Sequence, residues 1–233
     1  MSIRQRLVAV PGERMHLWLM LVLTFTTGIN DAVGYLGLDK VFTGNMTGNV
    51  VVLGMAVVGG SGLPILGPAL ALIGFMAGAA IAGRLLRHGS RSWHGLTTAV
   101  FAAVAVLMLV LGGVLLLVGD DPSHPAGVTV TTTAAFAMGL QAAAARLIAV
   151  KDVTTVVVTS TITGLAADLG SGRSAGAARR ASAVVAIIAG AATGAALLKW
   201  HLGAGLILAG VVIALATWAG DLHDRGRARE LRA

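Results

Sequence analysis

The sequence contains no cysteine and is poor in charged and aromatic residues. The absence of cysteine from its 233 residues excludes a disulfide framework, thiolate metal sites and cysteine nucleophiles. Charged residues make up 12% of the chain, whereas about 25% is usual in a soluble domain. Aromatic residues make up 4%, and the net charge of +7 comes from short basic clusters between apolar runs. These features exclude a soluble globule and disfavour nucleic acid as a partner.

Apolar residues are abundant instead, at 56% of the chain with a mean hydropathy of +0.86. A membrane span needs about 20 mostly apolar residues. We find eight segments that meet or nearly meet this requirement: 16–38, 41–60, 63–86, 97–118, 128–150, 153–172, 182–199 and 203–220. No small-residue cleavage site follows the first one, so we expect a retained helix rather than a cleaved signal peptide. The composition predicts one all-α polytopic domain over residues 1–233, embedded in a lipid bilayer.

Segments 41–60 and 153–172 are poorly suited to face lipid. Residues 43–49 read TGNMTGN, and residues 159–164 read TSTITG. Backbone N–H and C=O groups inside a bilayer need partners within the protein. We therefore predict that these two segments are broken or re-entrant, which leaves about six full spans.

The basic residues support this topology through the positive-inside rule. If all eight segments crossed, ten loop Lys and Arg residues would lie inside and six outside. If the two unusual segments dip in and return, the ratio becomes 14 to 2, with only Lys40 and Lys199 outside. We expect a multi-pass protein of the bacterial inner (plasma) membrane with both termini in the cytoplasm and residues 221–233 as a basic cytoplasmic tail.

An internal repeat favours the same arrangement. Sliding the sequence by 116 residues aligns 41–81 with 157–197 and gives 11 identities in 41 positions. The matches include Thr-x-x-x-Thr-Gly in both unusual segments and Gly-x-x-x-Gly in the segments that follow them. With three crossings between the copies, the repeat has inverted topology. We take its halves as 16–118 and 128–220. A repeat of this kind with interrupted helices points to a transport site.

Three stretches resemble the YoaK-type family of small bacterial multi-pass membrane proteins of uncharacterised function. They are Gly28-Ile29-Asn30-Asp31-Ala32, the TGNMTGN block, and Gly139-Leu140-Gln141 followed by Arg146. The resemblance runs roughly from Trp18 to Trp218. It implies a membrane location and about six spans, and it implies no substrate.

Polar residues within the apolar segments are the candidate substrate-binding residues. An ionised side chain inside a bilayer is costly and usually faces the protein interior. Aligning Gly28 with Gly139 makes the first and fifth segments counterparts and suggests an ion pair between Asp31 and Arg146, which is either structural or functional. The candidates are Asp31, Asn30, Thr43, Asn45, Thr47, Asn49, Gln141, Arg146, Thr159 and Thr163. The alternative for the threonines and asparagines is a capping or packing role.

We expect a small-solute transporter or channel with a polar site at the bilayer midplane and a small polar or anionic solute. The alternative is a non-transporting membrane protein that anchors or regulates a partner. A third reading is an intramembrane enzyme that uses Asp31 and Asp168. No catalytic motif, nucleotide-binding loop or metal-spaced histidine pair occurs, so we expect no enzyme activity, cofactor or metal. The oligomeric state stays open.

The predicted topology can be tested with single cysteines, because the chain has none of its own. A cysteine at Ser90 lies in the loop that the charge distribution places in the cytoplasm. We expect an impermeant thiol reagent to label Ser90→Cys only after the membrane is permeabilised. Labelling from outside intact cells contradicts the six-span topology.

Overall fold

The computed structural model describes residues 3–59, 62–89, 92–148, 158–170 and 176–230. These ranges contain helices and their connections, with no strand among them. The helices are α1 (Ile3–Val8), α2 (Gly12–Ala32, continued by a π-helical turn over Val33–Gly37), α3 (Met46–Val57), α4 (Leu66–Leu86), α5 (Gly95–Val118), α6 (His124–Ile148), α7 (Val158–Gly170), α8 (Ala177–Leu197) and α9 (Leu202–Glu230).

Six of these helices are long and apolar enough to cross a membrane: α2 with its π-helical turn, α4, α5, α6, α8 and α9. The all-α polytopic fold with six spans is thus confirmed. α3 has 12 residues and the described part of α7 has 13, and at about 1.5 Å per residue neither of these lengths reaches across a core of about 30 Å. Part of the predicted sixth segment lies outside the described residues, namely 153–157 and 171–172. So do three of the loop cations, Arg91, Lys151 and Arg173.

Close glycine contacts show the relative direction of the spans. On α4, Gly74 lies against Thr132 of α6, and one turn later Gly78 lies against Phe136. Because both numbers rise together, α4 and α6 are parallel. The Gly190 and Gly194 pair of α8 follows Phe25 and Ile29 of α2 in the same way. These contacts assign both Gly-x-x-x-Gly motifs to packing within one chain, where small residues let helix backbones approach closely.

The segment around α3 enters the bundle and leaves on the side from which it came. We call the side at which α2 begins proximal and the opposite side distal. A Cβ atom at Gly67, in the first turn of α4, would lie 2.9 Å from Asp39 Oδ2, so α4 begins where α2 ends. Between them, residues Thr43 to Asn45 reach back to Asp31 inside the bundle. The predicted re-entrant course of this segment is what the structure has.

α7 itself lies on the proximal side. α6 runs parallel to α4 and ends there, and α8 begins there because it runs parallel to α2. α7 packs against α8, and the Arg180 side chain of α8 donates to the Gly164 carbonyl oxygen of α7 at 3.5 Å. An even number of crossings therefore separates α6 from α8, as the inverted repeat requires.

The packing of the two halves is matched element by element. α4 packs on α6 as α8 packs on α2, α3 packs on α4 as α7 packs on α8, and α5 packs on α6 as α9 packs on α2. The remaining large contact, between α5 and α9, joins equivalent helices. α2 and α6 occupy the centre, whereas α4 and α8 are the most exposed spans.

The glycine contacts also fix the register between the halves. Phe25 of α2 is the structural equivalent of Thr132 of α6, because each contacts the first glycine of its motif. In the same way, Ile29 is the equivalent of Phe136. This register differs by one helical turn from the alignment of Gly28 with Gly139. In the packed structure the counterpart of Asp31 is Met138.

The polar stretch after the last span is part of α9, which runs unbroken to Glu230. His223 is buried and contacts the Leu7 carbonyl oxygen of α1 through Nδ1 at 2.9 Å. Arg225 forms a 2.8 Å ion pair with Asp221 one turn earlier. Residues 221–230 are therefore a helical extension that packs against the N-terminal helix.

Two glycines on α4 provide a matched test of this packing. A Cβ atom at Gly78 would lie 3.0 Å from the Phe136 carbonyl carbon and 3.1 Å from the Leu140 nitrogen, whereas one at Gly83 meets nothing within 4 Å. We expect Gly78→Ala to lower the free energy of unfolding by about 1–3 kcal/mol, because two backbones must separate. Gly83→Ala should be neutral or stabilising by up to about 1 kcal/mol through helix propensity. Thermal unfolding in detergent measures both, and equal effects contradict the packing described.

Candidate functional site

The Asp31 carboxylate holds the tip of the re-entrant segment. Its Oδ1 atom accepts hydrogen bonds from the backbone N–H groups of Thr43 at 2.9 Å, Gly44 at 2.7 Å and Asn45 at 3.3 Å. The Thr43 hydroxyl lies 3.5 Å from the same oxygen. Asp31 is 7% exposed. One side chain on α2 thus satisfies three backbone donors that would otherwise be unpaired inside the bundle.

Asn49, one turn into α3, closes the loop from the other side. Its amide Nδ2 donates to the Phe42 carbonyl oxygen at 2.6 Å, and its Oδ1 accepts from the Phe42 N–H at 2.8 Å. These two bonds satisfy the backbone N–H and C=O groups of Phe42, which have no partner in a helix or strand. The Phe42 ring stacks on Tyr35 with the ring centroids 4.7 Å apart, which fixes the loop to the π-helical turn.

A second group of buried polar side chains lies where α2 crosses α6. Asn30 donates from Nδ2 to the Met138 sulfur at 3.2 Å. Gln141 donates from Nε2 to the Leu23 carbonyl oxygen and to Thr27 Oγ1, both at 3.4 Å. Asn30, Thr27 and Gln141 are each 0% exposed. We call Thr27, Asn30, Asp31, Met138 and Gln141 the crossing cluster.

The tip of the re-entrant segment belongs to the same place. A Cβ atom at Gly44 would lie 2.8 Å from the Thr27 methyl carbon, 3.2 Å from the Met138 methyl carbon and 3.5 Å from Asp31 Oδ1. A Cβ atom here would displace the Thr27 or Met138 side chain, so Gly44 lets the loop backbone reach the crossing without moving them. Asp31 comes six residues before the end of the π-helical turn, so the crossing cluster extends into the distal half of the bundle.

Arg146 lies elsewhere, and the expected ion pair with Asp31 is not formed. Arg146 is in the last turn of α6 and is exposed. Met138, which contacts Asn30, comes eight residues earlier, or about 12 Å along the helix. Among the described residues Asp31 has no basic partner, because its bonds are to backbone N–H groups and to Thr43.

The two threonine motifs are not brought together either. α3 packs on α4 and α7 packs on α8, with no extensive contact between α3 and α7 in the described ranges. Thr47, Thr159 and Thr163 are all exposed, and the Thr163 hydroxyl bonds to the Thr159 carbonyl oxygen within its own helix at 3.0 Å. Of the predicted site residues, the structure thus joins Asp31, Thr43, Asn45 and Asn49 in the loop, and Asn30 and Gln141 at the crossing.

The carboxylates that an intramembrane enzyme would need are separated. Asp168 of α7 forms an ion pair with Arg180 near the start of α8, on the proximal side, whereas Asp31 holds a loop that enters from the distal side. In the described part of the chain, no three His, Asp or Glu side chains are grouped to hold a metal ion.

A cleft of about 680 Å³ opens on the distal side beside the re-entrant segment. Its walls include Tyr35, Asp39, Lys40 and His124. His124 Nε2 lies 3.4 Å from Asp39 Oδ2. Tyr35 contributes to this wall and also stacks on Phe42, so the cleft adjoins the loop that Asp31 holds.

The family model described as "Protein of unknown function (DUF1275)" matches residues 19–219, which cover α4, α5, α6 and α8 in full and most of α2 and α9. The chain belongs to this family. UPF0700 transmembrane protein YoaK of Bacillus subtilis (strain 168) is 32% identical over 156 residues, which are 66% of this chain and 67% of that protein. No solved structure gives a significant match. The resemblance to the YoaK-type family is confirmed. The prediction of a multi-pass membrane protein is confirmed as well.

Some contact residues of this DUF1275 chain were not among the predicted site residues. Thr27 and Gly44 line the crossing, and Phe42 donates one backbone hydrogen bond to Asn49 and accepts another from it. The sequence signal for Thr27 was a hydroxyl pair within an apolar span, directly before Gly28. Met138 gave no signal, because methionine is common in apolar helices and its sulfur is only a weak acceptor.

Asn49 and Thr47 of this family member provide a matched test of the loop. Asn49→Ala leaves the N–H and C=O groups of Phe42 without partners, and each buried unsatisfied group costs about 1–3 kcal/mol. We therefore expect Asn49→Ala to lower the unfolding temperature in detergent strongly. Thr47→Val should change it little, because that side chain is exposed. A reversed order of the two effects contradicts the loop geometry.

Proposed function

We propose that the protein is a small-solute transporter or channel whose polar site is the crossing cluster between α2 and α6. The membrane is proposed to be the bacterial plasma membrane, with both termini in the cytoplasm. The proposed site is smaller than the one expected from the sequence, because Arg146, Thr47, Thr159 and Thr163 are not part of it.

The matched packing of the two halves supports this proposal. Transporters are commonly built from inverted repeats with discontinuous helices, and their sites lie where the repeats meet. Here α2 and α6 meet at the centre of the molecule, and each is followed in the chain by a segment too short to cross.

The observation that carries the proposal is the buried Asp31 carboxylate. A charge within a span costs at least about 2.5–3.5 kcal/mol on insertion scales, and such residues are usually functional. A neutral side chain such as asparagine could also accept hydrogen bonds from loop N–H groups. Holding the loop alone therefore does not require a carboxylate, and Asp31 has no basic partner among the described residues.

The distal cleft supports an access route to this site. Its wall includes Tyr35, which stacks on Phe42 next to the residues that bond to Asp31. On this proposal, movement of the Tyr35 and Phe42 rings connects the cleft to the crossing cluster. Gating by such aromatic side chains needs no displacement of the six spans.

The alternative is a non-transporting membrane protein that anchors or regulates a partner. The observation that favours it is the closed hydrogen bonding of the re-entrant segment, in which Asp31 and Asn49 serve the loop backbone. On this reading the segment is a packing element, and the interior admits no solute.

Solute flux into proteoliposomes separates the two functions. We would follow light scattering after osmotic shocks with urea, glycerol, ammonium chloride, sodium chloride and sodium formate. The transport proposal predicts faster recovery than in protein-free liposomes for at least one solute, and at least a fivefold loss in Asp31→Asn. The same substitution at the exposed loop residue Asp121 is the control and should leave flux unchanged. Recovery equal to that of protein-free liposomes for every solute favours the alternative.

A further inference from the structure

We infer that the crossing cluster binds a monovalent cation, with Asp31 Oδ2 as its charged ligand and the side-chain oxygens of Asn30 and Gln141 as neutral acceptors beside it. The inference rests on the proposed transport function, in which this cation is the cargo or the coupling ion.

The first step is the uneven use of the Asp31 carboxylate. The three loop N–H groups and the Thr43 hydroxyl all reach Oδ1. Oδ2 accepts no hydrogen bond from any residue that the structure describes. Half of the carboxylate therefore holds the loop, and the other half is available to a ligand.

The second step is a surplus of acceptors at the same crossing. Asn30 Oδ1 and Gln141 Oε1 are fully buried, and neither has a hydrogen-bond donor within the described ranges. Their amide nitrogens are already committed, to the Met138 sulfur and to Leu23 and Thr27. An unsatisfied buried oxygen costs free energy. A cation or a hydrogen-bond donor bound between these two oxygens would remove that cost.

The third step is the sign and size of the ligand charge. The crossing cluster contains one carboxylate and no lysine, arginine or histidine, and Arg146 is exposed at the end of α6. A lone carboxylate with neutral oxygens balances one positive charge. An anion would be repelled by the Asp31 carboxylate and would leave the two unpaired amide oxygens without a donor, which disfavours the anionic solute that a site containing Arg146 would take. In transporters, helix breaks and their oxygens commonly coordinate Na⁺ or H⁺.

The experiment is thermal unfolding of the purified full chain in detergent. Sodium chloride replaces choline chloride at constant ionic strength, and a second series varies pH without sodium. A ligand that binds only the native state raises Tm, by about 3–6 °C at ten times its Kd for a chain of this size. Sodium binding predicts such a rise with sodium. A proton as the cation predicts instead that part of the pH dependence of Tm is lost in Asp31→Asn, while the part due to groups such as His16 and Asp224 remains.

Two substitutions and a control decide whether the response belongs to this site. Asp31→Asn should abolish it. Gln141→Leu leaves the loop hydrogen bonds intact and should raise the cation concentration for half-maximal response about tenfold, so it remains informative if Asp31→Asn fails to fold. Asp121→Asn should respond like the unmodified chain.

The inference is overturned if sodium and choline give the same Tm and the pH series of the unmodified chain and Gln141→Leu coincide. A response that survives unchanged in both Asp31→Asn and Gln141→Leu also overturns it. Cation binding without any solute flux leaves the inference standing and refutes transport, whereas flux without a cation response refutes the inference alone.

Discussion

The fold depends on how a stretch of non-helical backbone is accommodated inside an apolar bundle. A chain that enters hydrocarbon without helical bonding must find partners for its N–H groups within the protein. Asp31 supplies one oxygen to three of them, and Asn49 supplies both partners of Phe42. Because these groups are satisfied, the chain can turn at Gly44 and leave on the side from which it came. That return keeps α4 parallel to α6 and accounts for the six spans found in the described residues.

The outer spans α4 and α8 are held on the central helices α6 and α2 by close backbone approach. Gly74 and Gly78 seat α4 on α6, while Gly190 and Gly194 seat α8 on α2. Tight packing and interhelical hydrogen bonds drive association between apolar helices in lipid. The small residues leave little lateral space between the helices of each pair. Polar side chains at the α2–α6 crossing are therefore enclosed by protein and not by lipid.

Much of this arrangement could be predicted from the sequence, because apolar length, loop charge and the repeat each constrain the topology. Asp31, Asn49 and Gln141 were also identified, since polar residues in apolar spans need protein partners. Thr47 was misplaced for a geometric reason. Thr47 and Asn49 are two residues apart on α3. Side chains at this spacing on a helix point about 200° apart. With Asn49 buried, Thr47 must face outwards.

Arg146 was misplaced because the span was positioned too late in the sequence. Segment 128–150 extends four residues beyond Arg146, whereas in the structure this residue is exposed in the last turn of α6. A long basic side chain in the last turn of a span can reach the aqueous surface.

The register set by the glycines gives the molecule a polarity that its backbone lacks. The two halves pack alike, yet the position equivalent to Asp31 is occupied by Met138. If each half took up the conformation of the other, the result would therefore not be the same molecule inverted in the membrane. A carboxylate would trade places with a thioether, and the two arrangements would differ in energy wherever charge is involved. Helix packing that is matched between the two halves is thus one-sided in chemistry, because only one half carries a buried carboxylate at this position.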